Sequence, residues 1–247
     1  MLANAPECSQ MLRSQKQNLL GENDMQNMMG RIRRCAEDYN MIAEGDKIAV
    51  GVSGGKDSLT LLYLLAALRR YYPAHYELQA VTIDMGLPGM DFSPVAELCA
   101  KLDVPYQIKK TEIGPIIFEY RHEKNPCSMC AKMRRGALSD VLLELGCNKI
   151  ALGHHFNDVI ETTVMSMFYG SQMQAMPPKL HSTSFPGMTL IRPMYCIREE
   201  DILAWKRYND LEFIQCACRF TENCTMCDNG GGGSKRQEIK ILLRRLK

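Results

Sequence analysis

The 247-residue chain has no run of the roughly 18 to 20 apolar residues that a membrane-crossing helix needs. Its first stretch, Met1 to Asn18, carries charges and glutamines and lacks the apolar core of a secretory signal. The expectation is a cytoplasmic protein with no membrane partner. A surplus of one charge is also missing: charged residues make up 23% and the formal net charge is +2. That balance neither marks nor excludes a nucleic-acid partner, because a basic face can sit on a near-neutral chain. There is no internal repeat, and the one low-complexity spot, Gly230 to Gly233, reads as a flexible loop. Present instead is 46% hydrophobic content, enough for one sizeable core with appendages. Seventeen methionines read as adaptable core filler. Eleven cysteines in a reducing compartment argue against a disulfide framework and toward metal binding or catalysis.

Hydrophobic periodicity divides the chain. Residues 1–24 are polar and irregular, and residues 25–43 carry Met25, Met28, Met29, Ile32 and Cys35 at helical spacing, giving an N-terminal helical extension over 1–43. Arg31, Arg33 and Arg34 on it read either as a solvated face or as contacts to nucleic-acid phosphates. From residue 44 onward strands and helices alternate. Strands are expected over Lys47 to Val52, Leu78 to Ile83, Val104 to Ile108, Lys149 to Leu152, Thr189 to Ile191 and Glu212 to Ile214. Helices are expected over Leu59 to Leu68, Ser93 to Leu102, Cys127 to Leu145, Asp158 to Tyr169, Glu199 to Tyr208 and Ser234 to Leu246. Such alternation predicts an α/β domain over 44–247, a parallel sheet with helices on both faces.

The most specific segment is Ile48 to Val52 followed by Ser53-Gly54-Gly55-Lys56-Asp57-Ser58 and a leucine-rich helix. Glycines let the backbone approach a polyanion closely, and amides at a helix N-terminus point at it with the helix dipole behind them. Ser53 and Ser58 add hydroxyls and Lys56 a positive charge. Asp57 makes sense as a helix cap or as a holder of Mg²⁺ between phosphates. The lysine is not followed by Ser or Thr, so this is not a Walker A loop. The motif resembles that of PP-loop ATP pyrophosphatases, a Rossmann-like family that splits ATP to AMP and pyrophosphate and attaches the AMP to its substrate. By that resemblance Asp84, at the end of Leu78 to Ile83, lies at the adenosine pocket; its other reading is a solvated strand-end carboxylate.

Cys127-Ser128-Met129-Cys130 is followed by Lys132, Arg134 and Arg135. In a helix the two cysteines share a face, and the cations favour thiolates and RNA phosphates. The pair also fits zinc or a redox dithiol. Cys127 to Gly136, Gly153-His154-His155-Phe156-Asn157-Asp158, Met167 to Gly170, Met176 to Leu180 and Ile191 to Met194 together resemble the tRNA 2-thiocytidine synthetase family over roughly residues 40–246. That resemblance implies thiolation of an anticodon-loop cytidine at C2, with ATP, Mg²⁺ and a 4Fe–4S cluster held by Cys127, Cys130 and a third, C-terminal cysteine. It also implies sulfur supplied through a cysteine desulfurase, and it leaves a homodimer open. Cys224, before Cys227 and Lys235-Arg236, best matches the family's third ligand, with Cys216 as runner-up. Cys216, Cys218, Cys224 and Cys227 have a second reading as a tetrahedral zinc site. Cys8, Cys35, Cys99, Cys147 and Cys196 read as isolated or core thiols. The chain stops at Leu246-Lys247, directly after the last helix, and is expected to be shortened relative to other members.

Gly153 to Asp158 lies between a strand and a helix, which brings two imidazoles and a carboxylate to the sheet edge near the phosphate loop. Asp158 is a candidate for catalysis or Mg²⁺; Gly153 and His155 are candidates for contact with nucleotide phosphate, or the histidines with the base. The plain alternative is a helix-start carboxylate with packed histidines. Glu161 and Thr162 receive no role. Competing functions are a tRNA uridine thiolase, whose relatives carry zinc-ribbon cysteines at both ends, an amide- or lysidine-forming PP-loop enzyme, which has no need of Cys127 and Cys130, and a non-catalytic nucleotide or iron–sulfur sensor.

Overall fold

The first apolar run forms strand β1, Asp46–Gly51, and its side chains alternate between two cores. Ile48 and Val50 pack with Leu61, Leu62, Leu64 and Leu65, whereas Ala49 packs with Val81, Val141 and Leu142. Helices on both faces follow from that alternation. The structure is a computed structural model that describes residues 25–117, 126–183, 185, 187–209 and 235–246. The expected strand over Glu212 to Ile214, the Gly230 to Gly233 loop, Cys8 and Cys216, Cys218, Cys224 and Cys227 lie outside those residues.

Helix α1 (residues 25–38) places Met28, Ile32, Cys35 and Ala36 in the same core as α2, Lys56–Leu68. The helix of the expected N-terminal extension is thus packed against the α/β body. Then come β2 (Tyr76–Asp84), α3 (Ser93–Lys101), β3 (Tyr106–Lys110), the short α4 (Ile113–Pro115) and α5 (Pro126–Glu144). Strand β4 (Lys149–Ala151), α6 (Phe156–Gly170), β5 (Lys179–His181) and β6 (Thr189–Ile191) follow. A 3₁₀ turn over Pro193–Cys196, α7 (Glu199–Asn209) and α8 (Lys235–Arg245) complete the described elements. The third strand begins at Tyr106, later than the apolar run from Val104 suggested. Asp103 sits at φ 52° and Val104 N–H closes the preceding helix on Cys99 at 3.0 Å, so both are spent on the turn.

The sheet order is β3-β2-β1-β4-β6-β5. Every pairing is parallel except β5 with β6. Strand β5 was not legible as a strand: it is an edge segment with no apolar run to mark it. The order changes direction between β1 and β4, and the carboxyl ends of two such strands frame the crevice in which open α/β sheets bind ligands. Both glycine-containing motifs leave the sheet at that point. Among the described residues no helix is long and apolar enough to cross a membrane.

At the opposite end of β1 and β4 a buried ion pair locks the two strands. The Lys149 ammonium bonds Asp46 and the Met41 carbonyl, and Asp46 also accepts from the Ala43 N–H and the Asn148 amide. Burial alone would raise the Asp46 pKa, but the bonds from Lys149, Ala43 and Asn148 outweigh it and hold the carboxyl below its ordinary range. The stabilisation is therefore present above the ordinary aspartate pKa and is lost as pH falls through the depressed value. Asp46→Ala leaves Lys149 buried without its counter-charge and is expected to cost about 3–5 kcal/mol in urea denaturation.

Candidate active site

The loop after β1 is shaped for an anion before any ligand is considered. Gly54 adopts φ 80°, a conformation costly for residues with a Cβ. Ser58 Oγ donates to the Gly55 carbonyl at 2.9 Å and accepts the Ser53 N–H at 3.2 Å, closing the loop onto the first turn of α2. The two serine hydroxyls lie 3.2 Å apart. Helix α2 then starts at Lys56 with no side chain capping its first amides, which leaves them for an incoming anion.

Lys56 is held at the side of the loop rather than at its mouth. Its ammonium meets Asp57 at 2.8 Å and Glu199, the first residue of α7, at 3.0 Å. Burial works to lower the Lys56 pKa, but Asp57 and Glu199 outweigh it and the ammonium stays charged above its ordinary range. Glu199 is depressed in turn, because Lys56 outweighs its burial. The Glu199 N–H donates to Asn157 Oδ1 at 3.1 Å, so the second motif also fixes this clamp.

The strand–helix joint after β4 presses directly on the phosphate loop. A Cβ on Gly153 would come within 3.0 Å of the Asp57 carbonyl group and 3.1 Å of the Ser58 nitrogen. Both are backbone, so Gly153→Ala must displace the loop. Its kcat/KM for ATP is expected to fall by up to about 10²-fold, read by pyrophosphate release, with little loss of thermal stability. Asp158 sits at the third position of α6, and its Oδ2 accepts the His155 N–H at 3.0 Å. The plain reading of Asp158 as a helix-start carboxylate is thus realised, while Asp158 also lines the crevice.

The two histidines divide. His155 is 3% exposed and lies beneath the loop, with Nε2 3.8 Å from Asp57 and Nδ1 3.6 Å from Asp158. His154 lines the cavity, and its Nδ1 faces Arg192 Nε at 3.3 Å. Burial first, then the Arg192 charge, lowers the His154 pKa, so it is a neutral imidazole at physiological pH.

These elements enclose a cavity of about 520 Å³. Gly51, Val52, Ser53, Asp57 and Ser58 form one wall, and Leu152, Gly153, His154 and Asp158 another. Val81 and Ile83 close a third side, and Ala131, Arg134, Arg135 and Leu138 of α5 the fourth. Asp84 is not among the lining residues; its carboxylate accepts the Gly86 N–H at 3.0 Å just beyond the strand end. Arg31, Arg33 and Arg34 of α1 pair with Asp201, Glu37 and Asp38, in keeping with a solvated face.

Cys127 and Cys130 fall in the first turns of α5, where the helix dipole favours thiolates. Cys130 is buried beside Ile113 and Ile117, with Sγ 3.5 Å from the Met85 sulfur. Arg134 follows one turn later, at the cavity wall. A buried Cys130, with a second cysteine three residues earlier in the same helix and Arg134 one turn later, fits a ligand pair for an anionic iron–sulfur cluster. Among the described residues no group of three or more His, Cys, Asp or Glu is placed to hold a metal, and Cys224 lies outside them. By contrast, burial pushes the Cys35 thiol up to about 12 and Cys99 up to about 11, as suits inert core thiols.

Glu199, Arg192 and Arg236 join this neighbourhood without having been singled out as site residues. Arg236 of α8 contacts Asp158 at 2.8 Å and Glu161 at 2.9 Å. Only the packing of distant elements shows these contacts.

Fold and crevice together define a nucleotide-binding PP-loop protein, and the sequence model of the family described as PP-loop domain matches residues 25–219. A tRNA-cytidine(32) 2-sulfurtransferase of Geotalea uraniireducens (strain Rf4) is 39% identical over 218 residues, covering 87% of this chain and 82% of that protein. The tRNA-cytidine(32) 2-sulfurtransferase of Syntrophotalea carbinolica is 44% identical over 182 residues, or 73% and 70% of the two chains. The chain belongs to this PP-loop family of tRNA-cytidine 2-sulfurtransferases. Among solved structures, the U34-tRNA thiolase NcsA from Methanococcus maripaludis, with its 4Fe-4S cluster, superposes with a TM-score of 0.71. That match has 23% identity and covers 92% of this chain and 73% of the other, which establishes the shared fold.

Proposed function

We propose that the protein is an ATP-dependent tRNA thiolase that converts an anticodon-loop cytidine to 2-thiocytidine. The observation that carries this reading is a single cavity bounded by the phosphate loop, Asp158 and the turn of α5 that follows Cys130. An adenylating enzyme of another class needs the first two of these and not the third.

ATP lies with its phosphates on the amides of Ser53 to Ser58 and its base toward Val81 and Ile83. Asp57 and Asp158 are the carboxylates available to share Mg²⁺ with the phosphates. Arg134 and Arg135 hold tRNA phosphates at the rim. The target base is swung out of a single-stranded loop, where unstacking costs least, and His154 offers it a neutral donor. The C2 oxygen attacks the α-phosphate, pyrophosphate leaves, and the base carries AMP as a good leaving group. Asp158 orients this step. Cys127, Cys130 and Cys224 would hold the 4Fe–4S cluster, which when bound would supply the sulfur for C2. A cysteine desulfurase replenishes that sulfur, and the reaction runs in the cytoplasm.

The test is nucleoside mass spectrometry of tRNA from cells with and without the gene. Loss of 2-thiocytidine, restored by wild type and not by Cys127→Ala, supports the proposal. Loss of a thiouridine instead moves the substrate to uridine, and no change in any thionucleoside sinks tRNA thiolation altogether.

A further inference from the structure

Glu161 poses a problem that neither the phosphate loop nor its own helix solves. It is 3% exposed, and it lies one turn after Asp158 on the same face of α6, so two carboxylates are stacked along the helix, of which Asp158 alone lines the crevice. A buried carboxylate is tolerated only when paired, and a second one beside it doubles the demand. Among the described residues, the cations that meet this pair of carboxylates come from α8. Arg236 Nε meets Glu161 Oε2 at 2.9 Å while its Nη2 meets Asp158 Oδ1 at 2.8 Å, and Lys240 approaches Glu161 Oε1 at 3.8 Å.

The guanidinium therefore spans two different carboxylates with its rigid planar fork. One end is anchored on a side chain that is buried and cannot wander. The other end grips the oxygen of Asp158 that the helix start leaves over, since Oδ2 is already taken by the His155 N–H. Between them the two bonds fix the carboxylate plane. Helix α8 has separate fastenings to α6: Tyr169 donates to Glu238, and the Lys235 ammonium lies 4.9 Å from the centre of the Tyr169 ring. Ile239 of α8 is also buried. Contacts besides Arg236 thus also dock the helix.

We propose that Arg236 is a positioning residue for Asp158, with Glu161 as its buried anchor, so that α8 completes the catalytic constellation across 78 residues of chain. The inference rests on the proposed role of Asp158. Arg236 acts through that carboxylate and not on substrate, so its removal loosens an alignment and leaves the nucleotide site intact.

The experiment compares wild type, Arg236→Gln, Arg236→Lys, Tyr169→Ala and Asp158→Ala in tRNA-dependent pyrophosphate release and single-turnover thiolation, with melting temperatures for each. Arg236→Gln is expected to lower kcat by about 10²-fold, the size of effect a misplaced group produces, with KM for ATP and tRNA nearly unchanged. Arg236→Lys keeps the charge but not the fork and is expected to recover about a tenth of the wild-type rate. Tyr169→Ala loosens α8 without touching Asp158 and is expected to keep kcat within about threefold of wild type. Equal kcat losses in Tyr169→Ala and Arg236→Gln would reduce Arg236 to helix docking. A raised KM for tRNA with kcat unchanged in Arg236→Gln would make it a substrate contact, which also overturns the proposal. Activity of Asp158→Ala close to wild type refutes the role of Asp158 itself, whereas an inactive Asp158→Ala beside a fully active Arg236→Gln refutes only the inference.

Discussion

Asp158→Asn is expected to lower kcat for thiolation by about 10² to 10⁴-fold, the range over which a positioned acid–base or charge-bearing group contributes. The substitution is nearly isosteric. Its carbonyl oxygen still accepts the His155 N–H, so the start of α6 survives and thermal stability changes little. What is lost is the charge that faces Arg236 and the crevice. The kinetic pattern separates two roles. If Asp158 shares Mg²⁺ with the phosphates, KM for ATP rises and added Mg²⁺ recovers part of the rate. If it orients the attacking base, kcat falls with KM for ATP unchanged. Steady-state pyrophosphate release at graded Mg²⁺ concentrations decides between them, and a kcat within threefold of wild type removes Asp158 from the mechanism.

The charged surroundings predict unequal consequences for conservative changes here. Asp57 touches Lys56 and lies near His155, while Lys56 also meets Glu199. Asp158, in turn, is shared between the helix start and Arg236. Groups that share partners do not contribute additively, so rate losses for Lys56 and Glu199 variants will not sum.

Much of this was legible in the sequence because the signals are local. The β1 run, the phosphate loop and the leucines of α2 lie within one continuous segment, and each part predicts the next. The strand at Thr189 to Ile191 and the helix beginning near Cys127 were readable for the same reason. Contacts between separate elements left no such trace. Glu199 opens a helix with Glu200 and Asp201, which reads as ordinary helix-start acid until Lys56 is seen beside it. Arg236 reads as one cation among several at the start of a basic terminal helix. His154 and His155 are adjacent in sequence, and strand-end geometry alone decides that the first faces the cavity and the second is buried.

Cys130→Ala is expected to abolish thiolation while leaving the nucleotide site in place. Cys130 is buried among Ile113, Ile117 and Met85 and is not part of the cavity wall, where the neighbouring Ala131 stands instead. Removing its sulfur leaves a small void, with a cost of about 1 kcal/mol, the common size for a single substitution. Cys147→Ala supplies the comparison, because Cys147 is equally buried, in the other core beside Val141 and Leu142. If buried thiols served only packing, the two variants would behave alike. The expected result is a similar small fall in melting temperature for both, with 2-thiocytidine lost only in Cys130→Ala. Anaerobically reconstituted Cys130→Ala should also lack the broad visible absorption of an iron–sulfur protein, whereas Cys147→Ala should show it. Retention of 2-thiocytidine by Cys130→Ala would leave the α5 pair without a ligand role and return the enzyme to the adenylating classes that need no sulfur of their own.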